Sequence, residues 1–125
     1  MRTDTTTSWI SKRWWDNNPG HVLVVPNVHI ENMYELPRDL AGDIHEAART
    51  IALGMKLAYA CGGISTRQHN EPAGYQDVWH YHLHVFPRYA DDHLYGSAYR
   101  EVEPDERRPY AERLRRVTAG RRVAS

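Results

Sequence analysis

Apolar residues recur along this chain with two periods, and the periods divide it into helices and strands. Between Pro37 and about Cys61, the residues Leu40, Ile44, Ala47, Ala48, Ile51, Met55 and Ala58 follow one another mostly at spacings of three and four. That repeat places side chains on one face of an α-helix. Pro37 suits the first turn of this helix, and the pair Gly62-Gly63 suits its end. A second helix is predicted from Pro104 to Thr118, with a stripe of Tyr110, Leu114 and Val117. Asp105 and Glu106 open it and arginines follow, the arrangement a helix dipole favours.

The remaining apolar runs are short and read as strands. "SWISKRWW" (8–15) is a possible short strand before the turn-rich "DNNPG"; "HVLVVP" (21–26) is β-branched and ended by Pro26; "ISTRQH" (64–69) and residues 78–88 complete the set. The order is strand, strand, helix, strand, strand, helix. "NEPAGYQD" is a hairpin-length link, so the natural solution is an α+β fold: a mostly antiparallel sheet with the long helix packed on one face. One domain is expected over 1–125, with its core at about 9–92, a loose polar leader at 1–8 and a C-terminal loop and helix at 93–125.

Composition changes this picture little. Of 125 residues, 41% are hydrophobic and 26% charged, ordinary for a globular chain, and 16 basic residues balance 16 acidic ones. Global charge therefore gives no reason to expect nucleic acid or membrane as a partner. The basic cluster Arg113, Arg115, Arg116, Arg121 and Arg122 reads as a solvated helix end. Cys61 is the single cysteine, which leaves no disulfide framework and no Cys-x-x-Cys zinc site. The opening "MRTDTTTSW" lacks the apolar run of a signal peptide, so a cytoplasmic location is the default expectation.

Candidate chemistry concentrates in "HYHLHVFPRY" (80–89). Alternate side chains of a strand share a face. One face carries Val78, His80, His82, His84 and Phe86; the other carries Trp79, Tyr81, Leu83 and Val85, a continuous apolar set expected to form the core. The histidines then face outward into a cleft or solvent. Strand residues two apart are separated by roughly 6.6 Å, so His80 and His84 stand about 13 Å apart, too far to share one zinc with bonds of about 2 Å. Two neighbours with a third ligand such as His21 or His93 remain a weaker metal reading. A row of imidazoles suits an extended anionic substrate such as a nucleotide phosphate. With an ordinary pKa of about 6.5, one neutral ring can attack phosphorus while a charged neighbour stabilises its oxygens.

"HYHLHVF" matches the alternating signature of the histidine-triad (HIT) family of nucleotide-binding proteins, hydrolases and transferases, and the chain resembles that family further. "NPGHVLVVPNVHIEN" (18–32) is similar to its Gly-His-strand-Pro segment, and "NEPAGYQDVWHYHLHVFPRY" (70–89) to its loop leading into the triad. The resemblance implies a HIT-like fold and a nucleotidyl hydrolase or transferase acting at an α-phosphate, with no cofactor required and no metal. The substrate would be a nucleotide ester, a phosphoramidate or a dinucleoside polyphosphate. It makes His82 the nucleophile, places His84 on phosphate oxygens, has His80 support the row, and has His21 orient the nucleophile. Gln76 matches a loop glutamine near the leaving group, and Asn70 an amide near the phosphate. A homodimer is also implied.

The departures carry their own expectations. Members usually begin with a further helix and strand, so part of the base-binding wall is expected to be absent or differently built. Eight positions before His21, where relatives hold the ribose hydroxyls with an acid or amide, this chain has Arg13. Asp16, Asn17 or Asn18 are the substitutes available. Trp15, with Trp14, offers an aromatic shelf for a base, or equally a cap to the core or an interface. Asp77 would repel an anionic substrate and is left outside the site. A non-catalytic nucleotide-binding module is the alternative these departures motivate.

Overall fold

The computed structural model describes residues 1–119; Arg121 and Arg122 of the basic cluster lie outside them. Along the chain the elements are β1 (Thr6–Ile10), β2 (Arg13–Trp15), β3 (Val22–Pro26), α1 (Arg38–Ala58), β4 (Gly63–Arg67), β5 (Leu83–Arg88), β6 (Tyr99–Glu101) and α2 (Pro104–Thr118). Four strands form an antiparallel sheet in the order β1-β3-β5-β4, and β2 pairs with β6 in a separate ribbon. Both β3 and β4 run antiparallel to β5, so α1 crosses between two parallel strands that β5 separates. Helix α1 covers the face carrying Val22, Val24, Leu83 and Val85, and its buried stripe is Ile44, Ala47, Ala48, Ile51 and Met55. The expected α+β architecture is therefore the observed one. Among the described residues no helix is long and apolar enough to cross a membrane.

Four local expectations are corrected. The leader is not loose: Thr6–Ile10 pair with β3, Arg2 bridges to Thr7, and the N-terminal amine donates to the Ser8 carbonyl at 2.8 Å. Secondly, "SWISKRWW" is two strands. The chain changes partner at Ser11-Lys12, where the Ser11 amide donates to His21 and the Lys12 carbonyl accepts from Val102. Thirdly, α1 stops at Ala58, before the glycines, because Ala60 takes the left-handed conformation (φ 53°). Lastly, the histidine strand begins at Leu83. Residues 78–82 lie outside the sheet, and Trp79, assigned to the core by alternation, is 49% exposed.

The end of β5 is held by one enclosed carboxylate. Asp92, with a side chain only 3% exposed, accepts from Arg88 at 2.7 and 2.8 Å, from the Tyr89 and Leu94 amides, and from Asn18. These donors, led by Arg88, hold its carboxyl well below the usual carboxylate range. Arg88 is thus a structural ion-pair partner.

The turn before β3 depends on Gly20, which has φ +84°. A Cβ there would stand 2.6 Å from Tyr110 Cδ1 and 2.9 Å from Tyr59 Oη, the hydroxyl that donates to the Gly20 carbonyl. Gly20→Ala is expected to cost at least about 2 kcal/mol, from the left-handed backbone and the overpacking together. Urea unfolding measures it; an unchanged midpoint contradicts the packing described.

Candidate active site

The site grows from the place where β5 leaves its pairing. The β3–β5 ladder runs Val22↔Val85, Leu23↔His84, Val24↔Leu83 and stops there. Beyond it the Tyr81 amide donates to Ile30 at 2.6 Å, and His80 Nε2 donates to the Pro26 carbonyl at 3.0 Å. This leaves the backbone between His80 and His82 free to turn a carbonyl toward the next ring. His82 Nδ1 lies 2.8 Å from the His80 carbonyl. A carbonyl only accepts, so Nδ1 carries the proton and the neutral ring keeps its lone pair on Nε2.

The other two triad positions have different surroundings. His84 is buried (9% exposed), with its ring 5.1 Å from that of His82 and stacked over Phe86. His21 (1% exposed) lies 5.6 Å from the His84 ring and stacks on Phe86 at 4.5 Å. It touches His84 and Phe86, and no hydrogen bond joins it to His82 among the described residues. Burial, followed by the Arg67 charge, pushes the His21 pKa down to about 3 and that of His84 to about 2. The expectation of an outward row with a charged imidazole neighbour is corrected at this end. His84 and His21 are enclosed and neutral in the free protein, and the cation beside them is Arg67.

Arg67 was missed in the sequence because its place depends on register. It pairs directly with His84 across the β4–β5 ladder, on the same face. Its guanidinium lies 5.2 Å from the Phe86 ring and 5.6 Å from the Tyr95 ring, and Nη1 donates to Tyr95 Oη at 3.2 Å. Tyr95 in turn meets Trp15 edge-on at 5.1 Å, and Trp15 packs on Tyr99 at 4.7 Å. Trp15 is therefore joined to the histidines through Tyr95 and Arg67. Trp14 is buried against Tyr110 and caps the core.

The predicted amides are occupied by the protein. Gln76 Nε2 donates to the Glu31 and Val78 carbonyls at 2.6 and 3.1 Å, while Oε1 accepts from the Glu71 amide. These bonds hold a loop in which Glu71 (φ 65°) and Tyr75 (φ 68°) both have positive φ, Tyr75 in the left-handed helical conformation. Asn70 Oδ1 accepts from the Met33 amide and from Gln68. Asn18 is fully buried, and its amide donates to the Pro87 carbonyl and to Asp92. It braces the end of β5. Arg13 pairs with Glu101 in the β2–β6 ribbon, and Asp77 is exposed.

A family model described as "HIT domain" matches residues 16–91, which contain every histidine of this arrangement. The chain belongs to the HIT family. This HIT chain is 35% identical over 86 residues to the protein named "Protein hit" of Bacillus subtilis, covering 69% of this chain and 59% of that one. An adenosine 5'-monophosphoramidase from Saccharomyces cerevisiae is 29% identical over 69 residues, 55% of this chain and 41% of that protein. The matches thus span about half the length of these curated relatives. A HIT-like protein from Bartonella henselae superposes with a TM-score of 0.86 at 25% identity, covering 94% of this chain and 83% of that structure.

The neutral histidines of this HIT fold give a sign to its pH dependence. Both folded-state pKa values are depressed, so unfolding takes up protons once pH falls below about 6.5. Their contribution is fully present above that value and is lost progressively toward their folded pKa values. Between pH 6 and 4, stability should fall by up to about 2.7 kcal/mol per pH unit, ~1.4 for each histidine. Below about pH 4, Asp92 adds a loss of the same sign. In His21→Asn the slope between pH 6 and 4 should be halved. Urea unfolding across this range measures it, and a flat profile contradicts the buried, neutral pair.

Proposed function

We propose that this protein is a nucleotidyl hydrolase or transferase in which His82 is the nucleophile. The observation that carries the reading is the 2.8 Å bond from His82 Nδ1 to the His80 carbonyl, which leaves Nε2 bare. In the first step the Nε2 lone pair forms a bond to the α-phosphorus as the bond to the leaving group breaks. That group departs with the electron pair and takes a proton from solvent. The proton stays on His82 Nδ1, donated to the His80 carbonyl, and that hydrogen bond stabilises the cationic ring of the nucleotidyl-histidine. In the second step water or another acceptor attacks phosphorus, the P–N bond breaks, and the acceptor's proton goes to solvent. Splitting the displacement in two is the gain from covalent catalysis.

His84 lies beside the attacked group, and His21 backs it through the shared Phe86 stack. Trp15 is the base-side aromatic in this reading. The chemistry as drawn uses no resident metal or cofactor. The substrates are nucleotide esters, phosphoramidates or dinucleoside polyphosphates, and the similarity to an adenosine 5'-monophosphoramidase supports this class. A second copy of the chain would cover the exposed Leu53 and Leu57 of α1, giving a homodimer.

A non-catalytic nucleotide-binding module is the second reading. One observation favours it: the Gln76 and Asn70 amides bond to the protein itself. Mass measurement of the intact protein after brief incubation with adenosine 5'-phosphoramidate separates the two. The expected result is an added adenylyl group on wild type and none on His82→Ala, with turnover in that variant lower by at least about 1,000-fold. Nucleotide binding without adduct or turnover in the wild type contradicts catalysis.

A further inference from the structure

The sheet has two faces, and the histidine row uses one of them. His84 stands opposite Leu23 of β3, while Val22 and Val24 point the other way, toward α1. On β1 the residues paired with these two are Ile10 and Ser8, which therefore share the helix face. A cavity of about 330 Å³ opens on that face between β1, α1 and α2. Helix α2 is drawn close to α1 at its end, where a Cβ on Gly54 would lie 2.9 Å from Thr118 Cγ2. Its earlier turns form the outer wall of the cavity.

The lining combines an apolar floor with a basic rim. Ile10, Ile51 and Leu114 are buried and supply the floor. Arg107, Ala111, Leu114 and Thr118 follow one another at the three-four spacing of one helix face, with Arg108 and Arg115 beside them. Arg115, part of what the sequence presents as a solvated helix end, thus belongs to the opening. No carboxylate lines the cavity among the described residues. Arg108 has Asp105 at 2.9 Å, but Arg107 and Arg115 have no carboxylate within ion-pair distance there. Three guanidinium groups around one opening repel one another, and an anion relieves that repulsion. Two polar atoms of the lining residues, Ser8 Oγ and Arg107 Nε, are also buried without a hydrogen-bond partner. Buried polar atoms are ordinarily paired, so a ligand or solvent completes this wall.

We propose that this cavity is a second binding site, for a small single-chain amphiphile of the fatty-acid class. The carbon chain lies on Ile10, Ile51 and Leu114, and the carboxylate meets the guanidinium groups at the opening. Burial decides that orientation: the three apolar residues are enclosed, whereas Arg108 and Arg115 are exposed. The volume stands at the low end of small-molecule sites, about 300–1,000 Å³, which suits a chain of medium length. Because the cavity lies across the sheet from the histidines, the proposal is independent of the nucleotidyl-transfer reading.

Calorimetric titration of the wild-type protein with octanoate, octan-1-ol and octyltrimethylammonium tests charge and apolar body without any variant. Octanoate is expected to bind about 10-fold tighter than the alcohol, the combined scale of three exposed ion pairs. The cation should bind more weakly than the alcohol. Decanoate should bind tighter than octanoate, by about fourfold for each added methylene. Arg115→Gln should weaken octanoate by about two- to fivefold, and Ala111→Phe, which fills the cavity from α2, should abolish binding. Methyl NMR locates the ligand: octanoate should shift the Ile10, Ile51 and Leu114 signals and leave the His82 ring signals in place. Three results overturn the proposal: an alcohol that binds as tightly as the carboxylate, unmoved Ile10, Ile51 and Leu114 methyls, or shifts confined to the histidine face.

Discussion

An imidazole ring can offer a bare nitrogen only where its other nitrogen holds the proton, and in this protein the His80 carbonyl decides which that is. The bond it accepts from His82 exists because the sheet ends one residue later. If β5 continued through His80 and His82, as strict alternation suggests, that carbonyl would face a neighbouring strand instead. The Pro26 carbonyl at the end of β3 and the Ile30 carbonyl beyond it take the His80 ring and the Tyr81 amide. The segment is thus held by bonds other than a ladder. Loss of regular pairing at the triad is what lets the His80 carbonyl set the tautomer of His82.

Around that bond the electrostatics divide into a neutral part and a cationic part. Burial keeps His21 and His84 uncharged, and Arg67 across the ladder reinforces this by repelling any proton that would settle there. The positive charge beside the neutral pair comes from a guanidinium fixed by a strand and two aromatic rings. An arriving phosphate would work against both effects on His84, raising its affinity for a proton in the bound state.

Much of the scaffold was legible in the chain. The three-four spacing from Leu40 to Ala58 located α1, and the β-branched run at 21–26 located β3, because each pattern reports burial on one face. The identity of His82 as the centre of the row was legible too, through a motif whose residues are consecutive in sequence. What failed depends on distant partners. Trp79 fits the apolar face by alternation, yet no strand lies beside it and it is exposed. Thr6–Ile10 looks polar, yet it gains a partner in β3. Arg67 is unremarkable in "ISTRQH" until register sets it opposite His84, and Tyr95 sits in a loop with no periodicity at all. Gln76 stands out in the motif, but its hydrogen bonds, which hold the turn through Glu71 and Tyr75, follow from folding of the loop.

The claim on which the rest depends is the tautomer of His82, and ring-nitrogen NMR of the free protein labelled with ¹⁵N-histidine reads it directly. At a pH where the ring is neutral, His82 should give a protonated Nδ1 and an unprotonated Nε2, with the Nδ1 proton shifted by its bond to the His80 carbonyl. A neutral His82 that carries its proton on Nε2 would contradict the account, since no lone pair would then face the substrate.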